Sequence, residues 1–205
     1  MPRWAHLCID MQRMFNEETA WNVPWMAKVS DQIEELAARL TADTIFTRFI
    51  PPHSASHMPG AWKVYYEKWD QMTLDRMPHE LVDLIPALDR FVPPARLFDK
   101  RTYSPWIDGR LHHLLAQGGV DTVIVTGGET DVCVLATVVG AIDLGYRVII
   151  PHDAVCSGAD TTHDATLELL GARFSVQVDM TSTEELLAKV VTGVPYPRCP
   201  RRPDL

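Results

Sequence analysis

The chain has 205 residues, 46% of them hydrophobic and 22% charged, which is enough for one substantial buried core and too few for two, so a single domain over 1–205 is expected. A formal net charge of -8 argues against nucleic acid or an anionic membrane as partner, since both need a basic surface, and leaves a small molecule as the expected one. No apolar run reaches the ~20 residues that cross a bilayer, and the four cysteines, at 8, 133, 156 and 199, form no CxxC pair, so with a first strand opening almost at Met1 we expect a reduced, cytoplasmic protein.

The chain opens with an apolar strand, Trp4–Ile9, that runs into Asp10. An acid at the carboxyl end of an early buried strand stands where α/β proteins place their ligands, but Asp is equally at home as a cap or turn residue. Residues 23–41 carry Val29, Ile33, Leu36, Ala37 and Leu40 at helical spacing and predict a covering helix. Thr44–Phe49 predicts a second buried strand, stopped by Pro51 and Pro52. The stretch 51–94 is long, proline-rich and aromatic, with Trp62, Tyr65, Tyr66 and Trp69 near helical spacing. Such an excursion from a sheet serves as a functional cover or as a contact between subunits, and its aromatics fit either a substrate pocket or ordinary packing. His53, His57 and His79 raise the question of a metal, but the four-residue spacing of the first two lies between prolines, where a helix presenting both rings is not expected. No metal site is predicted from them.

Residues 96–99 predict a third strand, followed at once by Lys100, a residue type mostly found solvated at the surface. A short helix over 111–117 ends at Gly118 and feeds the strand 122–126, TVIVT, whose β-branched run reads as buried on both faces. After Gly127 and Gly128 the pattern turns helical from Cys133, with Val134, Thr137, Val138, Ala141 and Ile142 on one face up to Gly145. Cys133 therefore falls at a helix N-terminus, where unpaired N–H groups favour a thiolate, although a lone Cys among Val, Leu and Ala also reads as a small buried hydrophobe. Arg147–Pro151 is a fifth strand, 160–170 a helix punctuated by Gly171, and 174–178 a sixth strand. Ser182 with Glu185 three residues on is a capping box for the last helix, and the proline-rich 193–205 reads as an extended tail.

This alternation predicts an α/β fold: a three-layer, doubly wound, mostly parallel six-stranded sheet with right-handed crossovers. Asp10, Lys100 and Cys133 all fall at carboxyl ends of strands or just beyond, and an acid, a cation and a thiol on one rim say more together than any one alone.

With these residues the chain resembles the isochorismatase-like cysteine hydrolases, the superfamily that includes nicotinamidases and N-carbamoylsarcosine amidohydrolases. DMQRMF after the first strand is similar to the family's D-x-Q-x-x-F, KRTYSPW to its K-x-x-x-S stretch, and GGETDVCVLAT to its nucleophile segment G-x-x-T-x-x-C-V-x-x-T, while IIPHDAVCS and His163 stand where the family has its D-A element and following helix. The resemblance spans about residues 5–190 and implies Cys133 as nucleophile, Asp10 as general acid/base and Lys100 as the group that stabilises a thiolate populated at neutral pH. It further implies a cis peptide at Gly128 to Glu129, with the Glu129 and Cys133 amides facing one oxyanion and the Glu129 side chain turned away, and a pocket lined by Phe15, Tyr103 and Trp62. Where nicotinamidases carry an Asp and His metal site after the second strand this chain reads TRFIPP, so neither metal nor other cofactor is expected. The implied activity is hydrolysis of a small amide, ureide or carbamoyl compound through a thioester, in a homo-oligomer, dimer or tetramer. True isochorismatases, which cleave a vinyl ether, lack the cysteine; that chemistry, and a catalytically idle relative that binds a small ligand or a partner, are the alternatives.

Overall fold

The structure is a computed structural model and describes residues 3–192. Its centre is a parallel sheet of β1 (Trp4–Ile9), β2 (Thr44–Phe49), β3 (Arg96–Lys100), β4 (Thr122–Gly128), β5 (Arg147–Pro151), β6 (Val155–Cys156) and β7 (Val178–Thr181). The spatial order is β3-β2-β1-β4-β5-β7, with β6 pairing beyond the end of β5 on β4. All seven residues of β4 are buried, as a parallel strand covered on both faces requires. Alternate side chains of each strand feed two cores. Cys8, Phe46, Ile124 and Ile149 pack with Val29, Ile33 and Leu36 of helix α2 (Met26–Arg39), whereas Leu7, Ile45, Val123 and Val148 pack with Leu111, Val138 and Leu170 on the opposite face. The result is the expected three-layer α/β architecture.

The helices in chain order are α1 (Arg13–Asn16), α2 (Met26–Arg39), α3 (Gly60–Lys68), α4 (Pro86–Asp89), α5 (Arg110–Gln117), α6 (Leu135–Asp143), α7 (Asp160–Arg173) and α8 (Thr183–Thr192). No helix among the described residues is long and apolar enough to cross a membrane. The amide of Glu185 donates to Ser182 Oγ at 3.2 Å, one half of the expected capping box, while the Glu185 carboxylate instead accepts from Thr181 Oγ1 at 2.9 Å.

Four boundaries differ from the sequence reading. The sheet has a seventh, two-residue strand, too short to leave a periodicity. Gly171 does not end α7, which runs to Arg173, since a glycine is tolerated inside a helix. The last strand is Val178–Thr181 rather than 174–178, because 174–177 form the turn that leaves α7, closed by the Val178 amide on Phe174 O. Regular helix begins at Leu135 and not at Cys133, which sits in a wider turn, Thr130–Val134, whose Val134 amide reaches back five residues to Glu129 O at 3.0 Å. The tail expected over 193–205 lies outside the described residues.

From β1 the chain moves outward to β2 and β3, then returns to the other side of β1 as β4. The loops leaving β1 and β4 therefore part in opposite directions and leave a crevice at the carboxyl ends of the strands, the usual place for a ligand in an open α/β sheet. The two strands are in tight contact there: Gly127 lies opposite Ile9, and a Cβ on it would fall 2.1 Å from Ile9 O, so only glycine fits. The excursion over 51–94 packs onto this rim. Gln12 ties it to the sheet by donating to Val82 O and Phe49 O and accepting from the Phe49 amide, and Met14, Met72, Met77 and Leu81 form a small separate core beneath it.

Candidate active site

Three strand ends deliver three functional side chains to the crevice. Asp10 follows β1 in a left-handed conformation (φ 49°), Lys100 is the last residue of β3, and Cys133 lies in the turn after β4. Lys100 Nζ stands 2.6 Å from Asp10 Oδ2 and 3.5 Å from Cys133 Sγ, so the ammonium links carboxylate and sulfur. Its remaining direction is taken by Thr102 O at 3.1 Å, and the Phe49 ring lies 5.0 Å away. The other Asp10 oxygen accepts from Thr47 Oγ1 at 2.6 Å, and the same hydroxyl accepts from the Asp10 amide at 3.1 Å. Thr47, on β2 between β1 and β3, thus fixes both main chain and side chain of Asp10; its sequence context, TIFTRF, carries no signal beyond that of a buried strand. Register brings Lys100 over: β3 pairs with β2 at Phe49↔Lys100, and the long lysine stem spans the width of β2 to reach Asp10.

Burial sets the protonation here. The Cys133 thiol is pushed well above the ordinary thiol range by burial, Lys100 pulling against this and the charge and hydrogen-bond acceptance of Asp10 adding to it. The resting sulfur is therefore a thiol beside Asp10 rather than the thiolate that its place at a helix N-terminus led us to expect: removal from water outweighs the neighbouring ammonium. Burial alone would lower Lys100, but the charge and hydrogen bond of Asp10 more than offset this and hold it above the usual lysine range.

The turn that carries Cys133 is anchored from the far side. Asp131 accepts from Ser157 Oγ at 2.5 Å and from Thr162 Oγ1, and Thr130 Oγ1 contacts His163 Nδ1 at 2.9 Å, tying the turn to the start of α7. Asp153 of the D-A element serves a different end, accepting from the amide and hydroxyl of Thr183 where α8 begins. The Gly128–Glu129 peptide is cis. The Glu129 side chain turns toward the loop after β6 and accepts from the Gly158 amide at 3.3 Å, and burial raises its carboxyl above the usual range.

Cys133 opens onto a cavity of about 360 Å³ whose walls include Phe15, Trp21, Phe49, Tyr65, Trp69 and Tyr103 with Asn22, Glu129 and Val132. Phe15 and Trp21 stack at 6.1 Å. Phe15 and Tyr103 are among the residues singled out from sequence. Trp62 is not in this wall: it lies a layer behind, against Tyr103 at 4.8 Å and Tyr65 at 5.5 Å, and borders a shallower depression with Ala61. Helical spacing put Trp62, Tyr65 and Trp69 on neighbouring faces of α3 and the turn after it; which of them meets the cavity depends on how α3 docks.

His53 Nδ1 pairs with Asp75 at 2.9 Å and His57 Nδ1 with Ser54 Oγ at 2.9 Å, the two rings 6.2 Å apart, while His79 opens a separate turn. Among the described residues no three His, Cys, Asp or Glu side chains gather as a metal requires. The segment leaving β2 offers the Phe49 ring, Ile50 and two prolines where ligating side chains would be needed, so the residues present do not fit a metal at that position.

Several known proteins are similar to this chain in sequence or in structure. Nicotinamidase 3 of Arabidopsis thaliana is 30% identical over 176 residues, 85% of this chain and 84% of that protein. A cysteine hydrolase from Pseudomonas syringae pv. phaseolicola superposes with a TM-score of 0.78 at 27% identity, covering 93% of each chain. A streptothricin hydrolase from Streptomyces noursei is 30% identical over 156 residues, 73% of this chain and 48% of that protein. The isochorismatase domain model matches residues 4–183, and with β1 through β7 and all three rim residues inside that span, the chain belongs to the isochorismatase family.

Proposed function

We propose that the protein is a metal-independent cysteine amidohydrolase that cleaves a small amide, ureide or carbamoyl compound through a thioester on Cys133. The observation that carries this reading is the contact of Asp10, Lys100 and Cys133 at the inner end of an aromatic cavity. Asp10 takes the thiol proton as Sγ attacks the substrate carbonyl, and the charge developing on sulfur and oxygen forms beside the Lys100 ammonium. The backbone amides of Glu129 and Cys133 hold the oxyanion of the tetrahedral intermediate. Asp10 then gives its proton to the nitrogen, the C–N bond breaks, and ammonia or an amine leaves an acyl thioester. Water replaces the amine, Asp10 takes its proton as the oxygen attacks, and collapse of the second intermediate breaks the C–S bond; the proton returns to sulfur with release of the acid. The sum is amide plus water to acid plus amine, with the enzyme restored. A protonated resting thiol suits this sequence, because the same carboxylate that accepts its proton delivers it to the leaving group.

The test is ammonia release from a panel of primary amides, ureides and carbamoyl compounds, nicotinamide among them, with mass spectrometry of the quenched enzyme. A substrate-dependent mass increase on Cys133, lost in Cys133→Ala together with ammonia release, is the expected result. Turnover without ammonia by an isochorismate-like vinyl ether, or amide hydrolysis undiminished in Cys133→Ala, would overturn it.

A further inference from the structure

Trp106 is not part of the cavity wall, yet it joins the two segments of the chain that carry Lys100 and Cys133. β2 and β1 stand between β3 and β4, so the sheet does not by itself fix the 3.5 Å between the Lys100 ammonium and the Cys133 sulfur. A more direct tie runs beside the sheet. The segment 101–109, which follows Lys100, sends the buried indole of Trp106 onto α6, where Nε1 donates to Thr137 O at 2.9 Å. The Thr137 hydroxyl in turn donates to Cys133 O at 2.7 Å, one helical turn earlier. In the other direction the Trp106 amide donates to Ser104 Oγ at 3.3 Å, the Thr102 hydroxyl donates to Ser104 O at 3.0 Å, and Thr102 O accepts from Lys100 Nζ at 3.1 Å. These contacts close a ring that leads from ammonium to sulfur and back. The indole is fitted to its place: it stacks on Tyr146 at 5.6 Å, and a Cβ on Gly140 would fall 2.4 Å from its Cδ1 and 3.0 Å from its Nε1. Alanine is the better helix former, so the bare position within α6 is explained by the approach of the ring. A buried indole N–H also needs an acceptor, a demand that a phenyl ring filling the same space would not make.

Resting on the amidohydrolase reading for the role of Cys133, we infer that Trp106 is a positioning residue, which sets the separation of Lys100 and Cys133 by tying 101–109 to the start of α6. The attraction between the ammonium and a developing thiolate falls with distance, and in a buried site water screens it little. A displacement of about 1 Å therefore changes the thiolate population several-fold.

Two variants test this from opposite sides. Trp106→Phe keeps a ring against Tyr146 and removes the donor, whereas Gly140→Ala keeps the donor and drives the ring away. Both are read by the rate at which iodoacetamide alkylates Cys133 at pH 8, followed on the Cys133 peptide by mass spectrometry, and each is expected to slow it about fivefold. In the Trp106→Phe background, Lys100→Met is expected to slow alkylation by a much smaller factor than in the unmodified protein, because the ammonium is no longer held at the sulfur. Leu111→Ala, which opens a void in the same core, controls for lost stability: its urea midpoint should fall while the alkylation rate and its response to Lys100→Met stay unchanged. Rates unchanged or raised in both variants, a Lys100→Met effect of full size beside Trp106→Phe, equal slowing in Leu111→Ala, or a rate indifferent to Lys100 in the unmodified protein would each overturn the inference. Amide turnover separates the two claims. With a substrate in hand, Trp106→Phe should lower kcat and leave KM little changed, because the indole does not line the cavity. Slowed alkylation in a protein that releases no ammonia sinks the hydrolytic reading alone, and ammonia release with kcat and alkylation untouched by Trp106→Phe sinks the positioning role alone.

Discussion

Cys133 and Lys100 share a problem of desolvation. A sulfur raised by burial reacts only when its proton has somewhere to go and its negative charge somewhere to rest, and the 2.6 Å Asp10–Lys100 pair supplies both. Lys100→Met removes the cation and leaves Asp10 beside the thiol, so the thiol should rise further, and alkylation by iodoacetamide at pH 8 should slow by about tenfold or more, one pKa unit being a tenfold change in thiolate. An equal alkylation rate in the two proteins would remove Lys100 from this role. Thr47, which donates at 2.6 Å to the Asp10 carboxylate, is a positioning residue with its own signature. Thr47→Val keeps the shape but loses a charge-assisted hydrogen bond of roughly 1.5–3 kcal/mol, so kcat on the best amide should fall about tenfold or more while Cys133 alkylation still responds to Lys100.

At the scale of elements, the turn Thr130–Val134 is held in place by the loop after β6 and the first turn of α7. Asp131 receives two hydroxyls, from Ser157 and Thr162, and Thr130 meets His163, so the position of Cys133 is set by α7 as much as by α6. Asp131→Ala leaves Ser157, which is buried, without its acceptor and releases one side of the turn. A loss of about 1–3 kcal/mol in stability is expected by urea denaturation, together with a fall in kcat that exceeds any change in KM. If kcat is unchanged while stability drops, the contact serves folding alone.

For the molecule as a whole, the sheet carries a titratable group that no solvent reaches. His6 in β1 lies between Thr44 Oγ1 on β2 at 3.0 Å and Thr126 Oγ1 on β4 at 2.8 Å, and burial lowers it from its ordinary value of 6.5 to about 3. Between these values the unfolded chain binds a proton that the folded one does not, so this contribution to stability is fully present above pH 6.5 and is lost as pH falls toward 3. The slope from this one group approaches ~1.4 kcal/mol per pH unit at its steepest, and His6→Gln, which keeps a donor and an acceptor but does not titrate, should flatten the acid limb of the stability curve by about that amount. Urea midpoints measured from pH 7 down to 4 check this; identical acid limbs would refute it. Amide hydrolysis is also expected to persist after dialysis against a chelator, because the residues leaving β2 do not form a ligand set. Activity lost on chelation and restored by zinc would require one elsewhere.

What the sequence determines by itself is what short-range pattern carries. Alternating buried strands and amphipathic helices fix the layers, and the paired glycines that open G-x-x-T-x-x-C mark a turn from which a thiol is presented. Asp10, Lys100 and Cys133 are legible as strand-end residues because a strand's end is a local event. What only the tertiary structure decides is everything set by neighbours far apart in the chain. Thr47 becomes part of the site because β2 lies between β1 and β3, and Trp62 is screened from the cavity by Tyr65 and Tyr103. The protonation of Cys133 is the clearest case. Its position near a helix start favours a thiolate, yet burial by residues tens of positions away reverses that preference, since desolvation depends on all the atoms that exclude water and not on those adjacent in sequence.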